Sequence, residues 1–155
     1  MTILRERIET SMPIGDAFDF VADFANAARW DPGVASSERL DPGPLKVGAR
    51  FRLGVRMGGR VAPMDYTISQ LDRPNRVVLD GTGSSVVATD DIAFEAVDGR
   101  TVISYMADIR LTGPMGLLSP FLGGAFRRIG ERARDGMQRA LDQRAGGGAD
   151  GGPAA

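Results

Sequence analysis

From about residue 34 to residue 112 the chain keeps almost wholly to the two-residue period of β-strands, and only then does one long helical period take over. Phe51, Leu53, Val55 and Met57 alternate with Arg50, Arg52, Gly54 and Arg56, so this strand has one apolar and one charged face. Further strands are predicted near 34–40, 64–71, 76–80, 86–97 and 101–111. They are separated by the turn strings Asp41-Pro42-Gly43-Pro44, Gly58-Gly59, Asp72-Arg73-Pro74-Asn75 and Asp98-Gly99-Arg100. Such short links predict a largely antiparallel sheet whose strands neighbour one another in sequence order. Its apolar face needs a cover. The segment from about Leu117 to Arg144 supplies one, with Leu118, Leu122, Ala125, Ile129, Ala133, Met137 and Leu141 on or near one stripe.

Ahead of the sheet, Ile3 to Thr10 reads as a first strand, with Leu4 and Ile8 on one parity and Arg5, Arg7 and Glu9 on the other. Ser11 is the expected cap of a short helix with Pro13 in its first turn, followed by Ile14, Ala17, Phe18 and Val21 at helical spacing. Asp23 and Asn26 punctuate a second short helix, and Pro32 forces an extended exit after Trp30-Asp31. In the closing helix Pro120 is tolerable only in the first turn. Gly123, Gly124, Gly130 and Gly136 either kink that helix or withhold volume where something comes close. With 155 residues, 43% of them hydrophobic, the expectation is one domain over residues 1–144 and a flexible Gly/Ala-rich tail over 145–155.

The chain has no cysteine and no histidine, which closes thiolate and imidazole catalysis and the metal sites those side chains build. No cofactor and no metal site is expected. Lys46, the one lysine, sits in a predicted turn where burial cannot activate it. A net charge of -1 gives no bulk reason to expect a nucleic-acid partner. No apolar run reaches the length of a membrane helix and the first residues lack the order of a signal peptide, so the expected compartment is the cytoplasm. Arg127 and Arg128 read as part of a solvated helix face, with a transient contact to an acidic ligand or anionic membrane as the sharper alternative.

Acid–base chemistry is left to carboxylates and phenols. Asp90 shares the parity of Val86, Ala88, Ile92 and Phe94, so it is either a desolvated inward carboxyl or a solvated residue near the strand's open end. Tyr105 shares parity with Ile103, Ala107 and Ile109, and Tyr66 with Met64 and Ile68. Each is either a wall group able to hydrogen-bond a ligand or a core residue with its hydroxyl at the rim. Trp30 either stacks on a ligand or packs beneath the short helices. Met57, Met64, Met106, Met115 and Met137 offer an adaptable lining or ordinary core filling, and Met106 has the opposite parity to Tyr105.

The element order, with Met12-Pro13-Ile14-Gly15-Asp16-Ala17-Phe18-Asp19-Phe20-Val21, Trp30-Asp31-Pro32-Gly33-Val34 and Gly99-Arg100-Thr101-Val102, resembles the START-like helix-grip (SRPBCC) superfamily of polyketide cyclases and lipid-transfer domains. The resemblance spans about Leu4 to Arg144. It implies an α+β helix-grip fold: about seven curved antiparallel strands wrapped around a long C-terminal helix, with two short helices after the first strand. It also implies a cavity between sheet and helix for a small hydrophobic or amphipathic molecule such as a lipid, isoprenoid or polyketide. Trp30, Phe51, Leu53, Phe94, Leu118, Leu122 and Ile129 are then the candidate ligand contacts, and Asp90, Tyr105 and Tyr66 the candidate catalytic groups of a cyclase or dehydratase. A third reading, an interaction module, predicts a cavity filled by its own side chains. The residues leave oligomeric state open.

Overall fold

The computed structural model describes residues 2–121 and 123–150, with the backbone alone for 118–121 and 147–150. In chain order it contains β1 (Thr2–Thr10), α1 (Ile14–Ala22), a 3-10 turn (Phe24–Asn26), α2 (Ala27–Trp30), β2 (Val34–Arg39), β3 (Arg50–Met57) and β4 (Arg60–Asp72). These are followed by β5 (Arg76–Thr82), β6 (Val86–Val97), β7 (Arg100–Leu111), a 3-10 segment (Gly113–Phe121) and α3 (Gly123–Asp150). The strands form one curved antiparallel sheet in the order β1-β7-β6-β5-β4-β3-β2, an α+β helix-grip. The expectation of sequence neighbours holds from β2 to β7 and fails at β1, which pairs with β7 from Thr2↔Ile109 to Thr10↔Thr101. The chain then leaves β1 at one edge and enters β2 at the other, with the short helices between them.

Turn chemistry sets the register. Gly58 and Gly59 both have positive φ (56° and 81°), so pairing continues to Met57↔Arg60 and β4 begins earlier than its apolar period indicates. Asp98 (φ 51°) and Gly99 (φ 76°) close the β6–β7 hairpin in the same left-handed region. Pro63 is accommodated inside β4 because the β4–β5 pairing reaches only Asp65↔Thr82.

The first helix starts differently from the expectation. Pro13 (φ −55°, ψ 145°) is itself the cap residue, its carbonyl accepting from Ala17 N–H at 2.9 Å, and no side chain caps the helix. Ser11 therefore does not serve as cap. Thr10 Oγ1 accepts from Met12 N–H at 3.1 Å, while Thr101 Oγ1 donates to the Met12 carbonyl at 2.7 Å. Those two buried bonds fix the strand-to-helix corner onto β7. Asp23 does act as a cap, its Oδ1 accepting from Ala25 N–H at 3.1 Å.

The closing segment is two elements instead of one helix from Leu117. Residues 113–121 form a 3-10 run because Pro114 and Pro120 lack the amide hydrogens that an α-helix would use, and α3 begins only at Gly123. It continues to Asp150, past the Arg144 boundary, since no proline interrupts it there and glycines weaken a helix without forbidding it. Its buried side chains are Phe126, Met137 and Leu141. Gly136 explains one of the helical glycines: a Cβ there would collide with the Trp30 carbonyl oxygen and lie 2.9 Å from Pro32 Cδ. Among the described residues no helix is long and apolar enough to cross a membrane.

Candidate functional site: an acid-lined apolar cavity

The concave face of the sheet fills unevenly. At one end α1 seats Phe18 against Phe94 (ring centroids 5.1 Å apart), in the buried core that also holds Ile92 and Ile103. Toward the other end small residues line the space between the sheet and α3, among them Ala88, Ala107, Gly130 and Ala133. The result is a cavity of about 160 Å³ bounded by β1, β2, β3, β4, β6, β7, the 3-10 turn at Phe24, α2 and α3. A void of that scale holds a benzene-sized molecule. A longer ligand must continue out through the mouth.

Most of the wall is apolar: Leu53, Met57, Met64, Ile109, Phe126 and Met137 supply much of it. Four aromatic rings gather on one side. Phe24 meets Tyr66 edge-on at 5.3 Å and Trp30 at 6.1 Å, and Trp30 meets Tyr105 at 6.0 Å. Gly81, the register partner of Tyr66, makes room for that phenol, because a Cβ at 81 would come within 2.5 Å of Tyr66 Cε1.

Against these rings stands Asp90, only 6% exposed. Tyr105 Oη donates to Asp90 Oδ2 at 3.0 Å. Burial pushes the Asp90 carboxyl up to about 7; the Tyr105 hydroxyl pulls it down, and the charges of Asp31 and Asp80 push it further up. The Tyr66 and Tyr105 phenols are held well above 10, first by burial and then by the Asp90 charge, so both remain protonated donors. A second acid, Asp31, also lines the cavity and is raised by burial, partly offset by its Oδ1 accepting from Gly33 N–H at 2.7 Å. Among the described residues, no ion pair reaches Asp31 or Asp90. The arrangement is a desolvated carboxyl near neutrality, a phenol bonded to it, and a second phenol nearby: groups that can orient a polar ligand atom or move a proton.

The mouth is more polar. Arg134 Nη1 lies 3.3 Å from Glu6 Oε2, and both residues border the cavity, as does Arg56, whose Nε donates to the Pro32 carbonyl at 3.2 Å. Ile129, 42% exposed, completes the rim from α3.

The structure thus places Asp90, Tyr105, Tyr66, Trp30, Leu53 and Ile129 on one cavity. Asp90 is the buried, inward carboxyl of the two alternatives. Phe51 and Phe94 lie in the packed core beyond the lining, Phe51 near Phe24 and Phe94 under Phe18. Leu122 and the side chain of Leu118 lie outside the described residues. Of the methionines, Met57, Met64 and Met137 line the cavity, whereas Met115 is 39% exposed. Sequence reasoning missed Asp31, which reads as part of a turn before Pro32, and Phe126, which falls one position off the predicted stripe. It also missed Glu6 and Arg134, whose pairing spans the whole chain.

Residues 1–144 match the profile of a family described as polyketide cyclase / dehydrase and lipid transport. Similar solved structures include TTHA0849 from Thermus thermophilus, at TM-score 0.74 and 16% identity, covering 90% of this chain and 96% of that one. Another is the ZhuI aromatase/cyclase from Streptomyces sp. R1128, at TM-score 0.70 and 16% identity, covering 90% of each chain. A START superfamily protein from Mycobacterium smegmatis aligns at TM-score 0.70 and 13% identity, covering 93% of this chain and 97% of that one. At such identities the likeness is one of fold. No curated protein matches the chain.

Proposed function

The chain belongs to the polyketide cyclase / dehydrase and lipid-transport family, and from that premise we propose that it binds one small hydrophobic or amphipathic molecule between sheet and α3. The observation that carries this reading is the uneven filling of the concave face, packed solid under α1 and open beside Asp90. Burial of the ligand's apolar part, at about 25 cal/mol per Å2, supplies the affinity. Asp90 and Tyr105 fix the orientation of its polar end. The deep part accepts one ring or a short chain segment, with the remainder passing Ile129 and the Glu6–Arg134 pair.

A second reading, supported by the Asp90–Tyr105 hydrogen bond and the near-neutral Asp90 carboxyl, is a cyclase or dehydratase. Asp90 would take a proton from an activated carbon, a tyrosine would donate to the enolate oxygen, and the cavity would hold the reacting carbons together away from water. Asp90→Asn then abolishes turnover of a verified substrate while leaving its binding within a few-fold; undiminished turnover removes Asp90 from the chemistry.

Native mass spectrometry of gently purified protein tests the binding reading, with Ala133→Phe as the filled-cavity comparison. The reading expects an excess mass, or uptake of added naphthalene, in the parent protein and its loss in the folded variant. Equal uptake by both proteins, or none by either, would refute it.

A further inference from the structure

The cavity has an electrostatic imbalance that an apolar ligand alone leaves unanswered. Asp90 and Asp31 both border it, and neither is paired with an arginine or lysine among the described residues. Among the described residues a phenol hydroxyl bonds the Asp90 carboxyl and a backbone amide the Asp31 carboxyl. Buried acids without a cationic partner are costly when ionised, and the remedies are protonation, a neighbouring base or a bound cation; Asp90, raised to about 7, is poised between the first and the last. Among the described residues the two arginines of the lining are engaged elsewhere. Arg134 is committed to Glu6 and Asp135, and Arg56 to the Pro32 carbonyl. The same cavity is lined by the rings of Phe24, Trp30, Tyr66 and Tyr105, set at angles of 63–67° for the pairs in edge contact. All four rings line the cavity, and aromatic walls with a carboxylate at the side suit a positive nitrogen.

Resting on the binding reading above, we infer that the ligand is a cation: an apolar molecule carrying a protonated or quaternary nitrogen, seated between the Asp90 carboxylate and the rings of Trp30, Tyr66 and Tyr105. Asp90 supplies the counter-charge, and its bond from Tyr105 keeps that carboxylate turned to the wall while the second oxygen serves the ligand. Asp31 supplies a second negative charge on the same cavity. The rings line the seat and exclude water. The groups acting on Asp90 from the surrounding elements are Tyr105 on β7, Tyr66 on β4, Asp80 on β5 and Asp31 after α2. Glu6, Arg134 and Arg56 complete the charged groups of the lining.

Phenyltrimethylammonium and its neutral isostere tert-butylbenzene separate the contributions, and Trp30, the one tryptophan of the chain and part of the cavity wall, reports binding by its fluorescence. The ammonium carries a fixed charge, so any pH dependence belongs to the protein. With Asp90 titrating at about 7, its ionised fraction grows about 30-fold between pH 5.5 and 8.5, and the apparent affinity for the ammonium rises by about that factor. In Asp90→Asn this rise collapses to the part that Asp31 contributes, while tert-butylbenzene binds both proteins within about two-fold at every pH. An ammonium affinity that is flat with pH, or unchanged in Asp90→Asn, overturns the inference, as does binding of tert-butylbenzene alone. The last result leaves the apolar-ligand reading standing; binding of neither probe overturns both. The pH series on the unmodified protein decides the matter even if the variant does not fold.

Discussion

Replacing Asp90 by asparagine should make the protein more stable at alkaline pH and remove most of a pH slope. A carboxyl raised from 3.8 to about 7 by folding costs the native state about 4 kcal/mol once fully ionised. The sign follows from the direction of the shift. A raised carboxyl contributes stability that is fully present below its unfolded pKa and lost as pH rises through its folded one. About 2.5 kcal/mol of that loss falls between pH 5 and pH 8. Asp31, also raised, acts in the same direction. The carboxylates held low by arginine, Asp19, Asp41 and Asp65, titrate below this window and do not oppose the effect. Asparagine keeps an oxygen for the Tyr105 hydroxyl and carries no charge, so its contribution to the slope vanishes. Urea unfolding at pH 5, 6, 7 and 8, followed by Trp30 emission, measures both proteins, the stability at each pH being the midpoint multiplied by the slope. The variant should gain on the parent by about 2.5 kcal/mol across that range. Parallel lines for the two proteins would show that Asp90 is not desolvated, and both the binding and the proton-transfer roles would lose their basis.

Three further substitutions have defined outcomes. Tyr105→Phe removes the hydrogen bond that holds Asp90 down, so carboxyl NMR should place Asp90 above about 7; an unchanged or lower value contradicts the contact. Gly136→Ala drives a Cβ into the Trp30 carbonyl and should cost about 2–3 kcal/mol in spite of alanine's better helix propensity, whereas Gly124→Ala, with nothing within 4 Å, should be neutral or slightly stabilising by thermal melts. Gly81→Ala forces the Tyr66 ring out of its seat, with an expected loss of about 1–3 kcal/mol in stability and a weaker response of Trp30 to any cavity ligand; an unperturbed melt would show that the ring relaxes freely.

Periodicity revealed which face a side chain takes, and this was enough for the sheet. The alternation through β3 and the glycine and aspartate turns at 58–59 and 98–99 correspond to paired strands in register. It does not reveal how far along the sheet a residue stands. Phe51 and Leu53 share a parity, yet Leu53 borders open space and Phe51 is packed with Phe24, because the 3-10 turn and α1 fill that end of the concave face. Phe94 and Asp90 differ in the same way. On α3 the predicted stripe holds at Ile129, Ala133, Met137 and Leu141, which line the cavity or are buried, and gives way only at Ala125, where the neighbouring Phe126 is the buried residue. Asp31 was illegible for another reason. Its local turn bond to Gly33 satisfies every sequence signal around it, and only the approach of β6 and α3 turns that turn into a cavity wall.

The central claim is that the space beside Asp90 is a binding cavity and not a filled core. Methyl-labelled methionine NMR examines it directly, since Met57, Met64 and Met137 border that space while Met12 sits in the packed core and Met115 is exposed on the 3-10 segment. On addition of naphthalene, saturable shifts are expected at Met57, Met64 and Met137, with Met12 and Met115 unmoved. Shifts spread evenly over all these methyls, or none at the three lining ones up to the solubility of naphthalene, would contradict it.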